Sequence, residues 1–292
     1  GQLTVRIYIY PGTNHQADKI HEILPYKELF YSDEMHITGV KGILDGVTAT
    51  YTAVMTEPYQ DNPGVNGILV VDKDTIQNWV STANANGLSC RIHCIGDGAV
   101  REALDAYEAS NAVNDNSNIR NGVEHIEMLH PDDVNRFHEL GVVASMQPRH
   151  QILDKGEKLF RCGLERSKYE WNFKAIRDTK GRIALGTDYP VVSFNPYENI
   201  YIGMTTRSLD GVQFGTTTRE QVLTLEECLK GYTIEGAYLN SMEQKVGTLE
   251  PGKYADINVV NCNMFDIDIE EIKNCHSTMT IFNGAIVYDE KA

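Results

Sequence analysis

His93, His125 and Asp188 each close a short apolar run, and together they offer the nitrogen and oxygen donors that a divalent cation takes. The first run lies in SCRIHCIGDGAV (89–100), where strand-like residues end at His93 and Gly96-Asp97-Gly98 turns the chain. Helical spacing then resumes over Ala99 to Glu108. Val123-Glu124-His125 closes a second run and IALGTD (183–188) a third. In a parallel α/β sheet the carboxyl ends of strands carry chemistry, because side chains there face a cleft rather than packed core. One histidine so placed is more often a structural residue than a catalytic one. Three strand ends offering His, His and Asp point to a metal site. By strict alternation Glu124 faces away from His125, and Cys90 and Cys94 face away from Arg91 and His93, as packing residues under helices.

The elements that must position these residues alternate along the chain. Strands are expected at 3–10, 35–41, 88–93, 122–126, 141–147 and 183–187. Helical spacing covers 15–30, broken or kinked at Pro25, and then 74–86, started by Asp72 or Asp74 and ended by Gly87. Further helices are expected over 131–140, 170–178 and 225–240. Residues 47–67, 111–121 and 149–169 read as loops, the first long enough to be functional. This gives six parallel-type units in a row, where a closed barrel needs eight. From Gly247 the texture changes to short strands with glycine turns, GTLEPGKYADINVVN and TMTIFNGAIVYD, a small β appendage.

A chain of 292 residues with 41% hydrophobic content can bury a full core without disulfide or metal staples. A net charge of −15 repels phosphate backbones and anionic membranes, which argues against nucleic acid and membrane partners. The six cysteines are scattered with no CxxC pair, which fits a reducing cytoplasm. No apolar run approaches the roughly 18 residues of a membrane span, and the amino end does not resemble a signal peptide.

Seven segments taken in order carry a resemblance: VKGILDG (40–46), HCIGDGA (93–99), VEHIEML (123–129), SMQPRH (145–150), LGTDYPV (185–191), TLEECLKGYTIEGAYLN (224–240) and GTLEPGKYADINVVN (247–261). The set resembles the later motifs of the amidohydrolase superfamily, in the branch with N-substituted formamide deformylases and YtcJ-like hydrolases. The resemblance implies an α/β chain folded as a TIM-type (β/α)8 barrel over 1–245. Strands 1 and 2 would be missing, and a remnant of a small β-sandwich would occupy 246–292. It implies one or two divalent ions, often zinc, at the barrel mouth. Carried over by position, Lys41 resembles the lysine that can be carbamylated to bridge two metals, His93 and His125 resemble metal ligands, and Asp188 resembles the carboxylate that ligates and acts as general base. Tyr59 and Asp61 fall in the loop where the family binds substrate, and Gln147 and His150 fall at the mouth as substrate contacts. The family's His-x-His is not matched: His15 and His21 are too far apart.

The expected chemistry is hydrolysis of a non-peptide C–N bond in a small amide or cyclic amide by metal-activated water, since a bound ion lowers the pKa of water to about 7. Asp188 would take the proton and pass it to the leaving nitrogen. Lacking His-x-His, the chain reads as an N-terminally incomplete form of low or no activity, keeping a three-ligand site of Lys41, His93 and His125. Lys41 is as readily a plain lysine, because a protonated amine cannot ligate. The alternative is a non-catalytic barrel remnant or binding protein. A nucleotide-binding α/β protein is disfavoured, since Gly96-Asp97-Gly98 lacks a GxGxxG or Walker pattern. Open strand edges at 3–10 and 183–187 predict a homo-oligomer.

Overall fold

The computed structural model describes residues 3–154, 156–214 and 219–292. Its centre is a parallel sheet of five strands in the order β3 (Gly39–Ile43), β4 (Ser89–Cys94), β5 (Gly122–His125), β6 (Val143–Met146), β7 (Ile183–Leu185). Two shorter strands, β1 (Ile7–Ile9) and β2 (Met35–Ile37), pair in parallel beside it. The chain after β1 continues the pairing, because the Lys41 N–H donates to Pro11 O at 3.0 Å. The six strand regions expected from sequence are therefore neighbours in sequence order, with the second interrupted at Thr38.

Each strand has one face toward the helices and one polar face. On β4, Cys90, Ile92 and Cys94 are fully buried, while Arg91 and His93 take the other side. The helices that cover the apolar face are α1 (Asp18–Leu29), α2 (Lys73–Ala85) and α3 (Asp97–Val113). Asp72 caps α2 by accepting the Thr75 N–H at 2.8 Å. Pro25 lies inside α1 without ending it, against expectation, so the helix forgoes a single backbone bond there. Asp97 and Gly98 are the first turn of α3 rather than part of the turn before it, and Asp97 accepts both the N–H and the hydroxyl of Thr56, at 3.0 and 2.6 Å.

The stretch 149–169 is mostly helical rather than a loop. It holds a 3-10 helix over Pro148–Leu153, α5 (Glu157–Cys162) and α6 (Leu164–Ser167), after α4 (Arg136–Glu139) and before α7 (Phe173–Asp178). An additional helix, α8 (Pro196–Thr205), is capped by Asn195, whose side chain accepts the Tyr197 N–H at 3.0 Å. The helix expected over 225–240 is two, α9 (Leu225–Tyr232) and α10 (Ile234–Leu239), separated at Thr233 with φ −122° and ψ −91°. A capping box between Thr224 and Glu227 starts α9. Residues after Gly247 form an antiparallel sheet of β8 (Ile257–Val260), β9 (Ser277–Phe282) and β10 (Ala285–Asp289). That sheet is tied to the amino-terminal segment by the Arg6 guanidinium, which donates to both carboxylate oxygens of Asp256 at 2.5 and 3.0 Å.

Candidate metal centre

The carboxyl ends of β4 to β7 deliver the imidazoles and the carboxylate to one rim. His93 is the penultimate residue of β4, His125 the last of β5, His150 follows β6 in the 3-10 helix opened by Pro148, and Asp188 follows β7. Donor atoms of His125, His150 and Asp188 all lie within 4.8 Å of one another. His93 stands edge-on to His125, with ring centroids 4.5 Å apart at 69°, and His150 stacks on the other side of His125 at 5.6 Å and 16°.

His125 reaches this position because its backbone leaves the strand conformation. Its φ is 78° and that of Ile126 is 53°, so the period-two alternation ends there. This also corrects the reading of Glu124. In the ladder Glu124 is the partner of His93 and shares its face, where it accepts from Arg91 at 3.1 Å and pairs with Lys41 at 3.7 Å. Burial would raise the Glu124 carboxyl, but Lys41 and Arg91 outweigh it and hold the group below its ordinary value. Lys41 lies on the same face, one register position behind the rim, as the partner of Arg91.

Hydrogen bonds fix which ring nitrogens remain free. The His125 Nδ1 lies 2.9 Å from Gln147 Oε1, and the Gln147 Nε2 donates to Ser145 O at 3.3 Å, which sets the amide orientation. An amide oxygen only accepts, so Nδ1 carries the proton and Nε2 keeps its lone pair. The His93 Nε2 lies 3.4 Å from Gly46 O, which by the same argument leaves Nδ1 unprotonated. Among the described residues the buried Nε2 of His150 has no hydrogen-bond partner, and it lies 3.9 Å from Asp188 Oδ2. Burial lowers the pKa of all three imidazoles, and burial together with the neighbouring His125 brings His93 down to about 4. All three are therefore neutral at pH 7, the state in which imidazole ligates. This donor set fits a divalent cation.

Sequence reasoning missed Asp45. Asp45 is buried and accepts backbone N–H groups from Val54, Ile95 and Gly96, each at 2.9 Å, with its Oδ1 3.8 Å from His93 Nε2. Burial pushes its carboxyl up to about 7, against the pull of those three N–H groups. A Cβ at Gly96 would run into the Val54 carbonyl, so glycine is what lets the 47–67 loop lie against the turn after β4. The aspartate immediately after a strand and before glycine was the available signal. Sequence reasoning also left out Glu127, two residues past His125, which pairs at 2.8 Å with Lys158, a buried lysine 5.1 Å over the Trp171 ring.

The remaining sequence candidates sit behind the rim. Gln147 is buried against His125 as described. Tyr59 is fully buried and its hydroxyl donates to Ala53 O at 2.7 Å, while Asp61 accepts from the Tyr51 hydroxyl at 2.5 Å. Both are thus used inside the 47–67 loop. His15, one of the histidines closest to a His-x-His pattern, accepts the Ile43 N–H at 2.9 Å through Nε2 and is structural.

A family model described as "Amidohydrolase family" matches residues 1–288. Protein LONG AFTER FAR-RED 3 of Arabidopsis thaliana is 31% identical over 80% of this chain and 40% of its own length. The putative amidohydrolase YtcJ of Bacillus subtilis is 26% identical over 86% and 47%, and the N-substituted formamide deformylase of Arthrobacter pascens 22% identical over 74% and 40%. An uncharacterized metal-dependent hydrolase from Pyrococcus furiosus superposes with a TM-score of 0.72 at 29% identity, over 87% of this chain and 50% of that one. The chain thus spans about half the length of the relatives it matches, or somewhat less.

Proposed function

Since the chain belongs to the amidohydrolase family, we propose that it is the metal-binding part of a hydrolase that cleaves a non-peptide C–N bond in a small amide or cyclic amide. The observation that carries this reading is the convergence of His125, His150 and Asp188 within 4.8 Å. In it, His125 Nε2, His150 Nε2 and an Asp188 oxygen hold one divalent cation, zinc in our reading, with His93 adjoining. The cation, when bound, supplies Lewis-acid polarisation of the carbonyl and lowers the pKa of water. Asp188 is solvent-accessible and acts as the general base, accepting a proton from water and handing it to the departing nitrogen. Gln147 holds His125 in the tautomer that leaves Nε2 free. Lys41 stays a plain ammonium, supported by its ion pair with Glu124.

A TIM-type (β/α)8 architecture to which residues 1–245 supply six strand regions, with C-terminal β-sandwich strands over 246–292, is part of the same proposal. It is supported by β1 and β7, each with a strand neighbour on one side only among the described residues. Among the described residues no helix is long and apolar enough to cross a membrane. A cytoplasmic setting is part of the proposal, supported by the six scattered, free cysteines.

The test is release of amine from N-substituted formamides and small cyclic amides by the zinc-loaded chain. Turnover that falls about a thousandfold in Asp188→Asn supports the proposal. Turnover unchanged by that substitution overturns the assigned base. Absence of turnover together with tight binding of the same amides favours a binding protein.

A further inference from the structure

The antiparallel pairing of β8 and β9 brings two cysteines face to face at its open end. Val260 pairs with Ser277, and the Asn261 N–H donates to His276 O at 3.1 Å, so the register carried one step further sets Cys262 opposite Cys275. Their sulfurs are 3.2 Å apart. That is a little over an ångström longer than a covalent S–S bond of about 2.05 Å. Opposed Cα atoms in an antiparallel ladder lie about 4.5–5.5 Å apart, inside the span of about 4.4–6.8 Å that a disulfide bridges. Both are free thiols here, Cys275 buried and Cys262 partly exposed.

We propose that Cys262 and Cys275 form a reversible redox site that closes to an intrachain disulfide by exchange with a low-molecular-weight disulfide such as oxidised glutathione. The partly exposed Cys262 thiolate attacks one sulfur of the reagent and expels the first thiolate, leaving a mixed disulfide. Cys275 then loses its proton and attacks the Cys262 sulfur, expelling the second. Two protein thiols are oxidised, one reagent disulfide is reduced to two thiols, and the two protons go to them. Burial, and then the contact with Cys262, pushes the Cys275 thiol up to about 12, which suits the resolving rather than the attacking role.

The bond would pin a segment that braces the rim. Between the cysteines lies the 3-10 helix Ile269–Asn274, whose Glu270 accepts from the Tyr201 hydroxyl at 2.9 Å on α8 and from Arg207 at 3.0 Å. On the same helix α8, Asn199 accepts the Arg149 N–H at 3.0 Å, next to His150. Closing the loop removes freedom from the segment in its open state.

The folded chain is incubated with oxidised glutathione, alkylated, digested and mapped by mass spectrometry. We expect a peptide cross-linked through Cys262 and Cys275, its reversal by dithiothreitol, and amide exchange across 269–274 slowed roughly tenfold. In Cys275→Ser a glutathione adduct on Cys262 replaces the cross-link. A wild-type chain that keeps an alkylatable Cys275, with or without an adduct on Cys262, overturns the proposal. Unchanged exchange across 269–274 in the oxidised chain overturns the bracing role.

Discussion

His125 adopts a left-handed backbone conformation, and from it follows which side of the sheet its ring reaches. Without that departure the ring would sit under α3, and Glu124 alone would face His93. The tautomer is then fixed by Gln147, so Gln147→Leu is expected to weaken zinc affinity about 10–100-fold while leaving the fold intact. Chelator competition on wild type and variant checks this, and equal affinities would contradict it. Residue identity made His93, His125 and Asp188 legible, because each lies at or just past the carboxyl end of a strand. His150 was legible only as a mouth residue: it lies outside β6, and its place depends on the turn begun at Pro148. The alternation that assigns faces along a strand fails at its last residue, and so Glu124 was misread.

A second prediction at this scale concerns Glu170. Burial raises its carboxyl to about 7 from an ordinary 4.5, and among the described residues its Oε1 has no hydrogen-bond partner. The folded state thus binds a proton that the unfolded state releases. Its contribution is complete below pH 4.5 and is lost as pH rises through about 7, on the order of 3 kcal/mol in all. Glu170→Gln should flatten the loss of stability between pH 5 and 8 in urea denaturation, and an unchanged slope there would contradict the account.

At the scale of elements, one buried carboxylate ties three segments of the rim together. Asp45 joins the end of β3 to the 47–67 loop and to the turn between β4 and α3, three segments that share no strand pairing with each other beyond β3–β4. Asp45→Ala leaves three backbone donors without that acceptor, and the expected loss is about 3–5 kcal/mol of stability, read from chemical denaturation. A loss under about 1 kcal/mol would show that water replaces the carboxylate. Element order was legible because each strand is a dense apolar run and α2 carries its own cap. Helix α8 was legible in principle: Asn195-Pro196 signals its start, and Tyr197, Ile200, Tyr201 and Met204 follow at helical spacing. The short helices of 149–169 were not, because charged residues dominate there and burial comes from pairs such as Lys158 with Glu127, which sequence alone does not disclose.

For the whole molecule, the parallel order of six strand regions and the change of texture at Gly247 were both visible in sequence, since they rest on hydrophobic periodicity. What closes or covers the sheet edges was not, because edge pairing depends on surfaces distant in the chain. Leu3, Val5 and Ile7 are exposed beside β1. We therefore expect self-association, with sedimentation giving a mass that rises with concentration above the 32.7 kDa of one chain, and a concentration-independent monomer would contradict it.

The central claim is that one cation fits among His125, His150 and Asp188. Zinc titration of the metal-stripped chain, followed by calorimetry and elemental analysis, addresses it directly. The account predicts close to one equivalent bound by wild type, with binding lost in His125→Ala and His150→Ala and affinity that weakens as pH falls below the ordinary imidazole range and the lowered imidazoles protonate. Retention of less than about a tenth of an equivalent, or full retention after both substitutions, would contradict it.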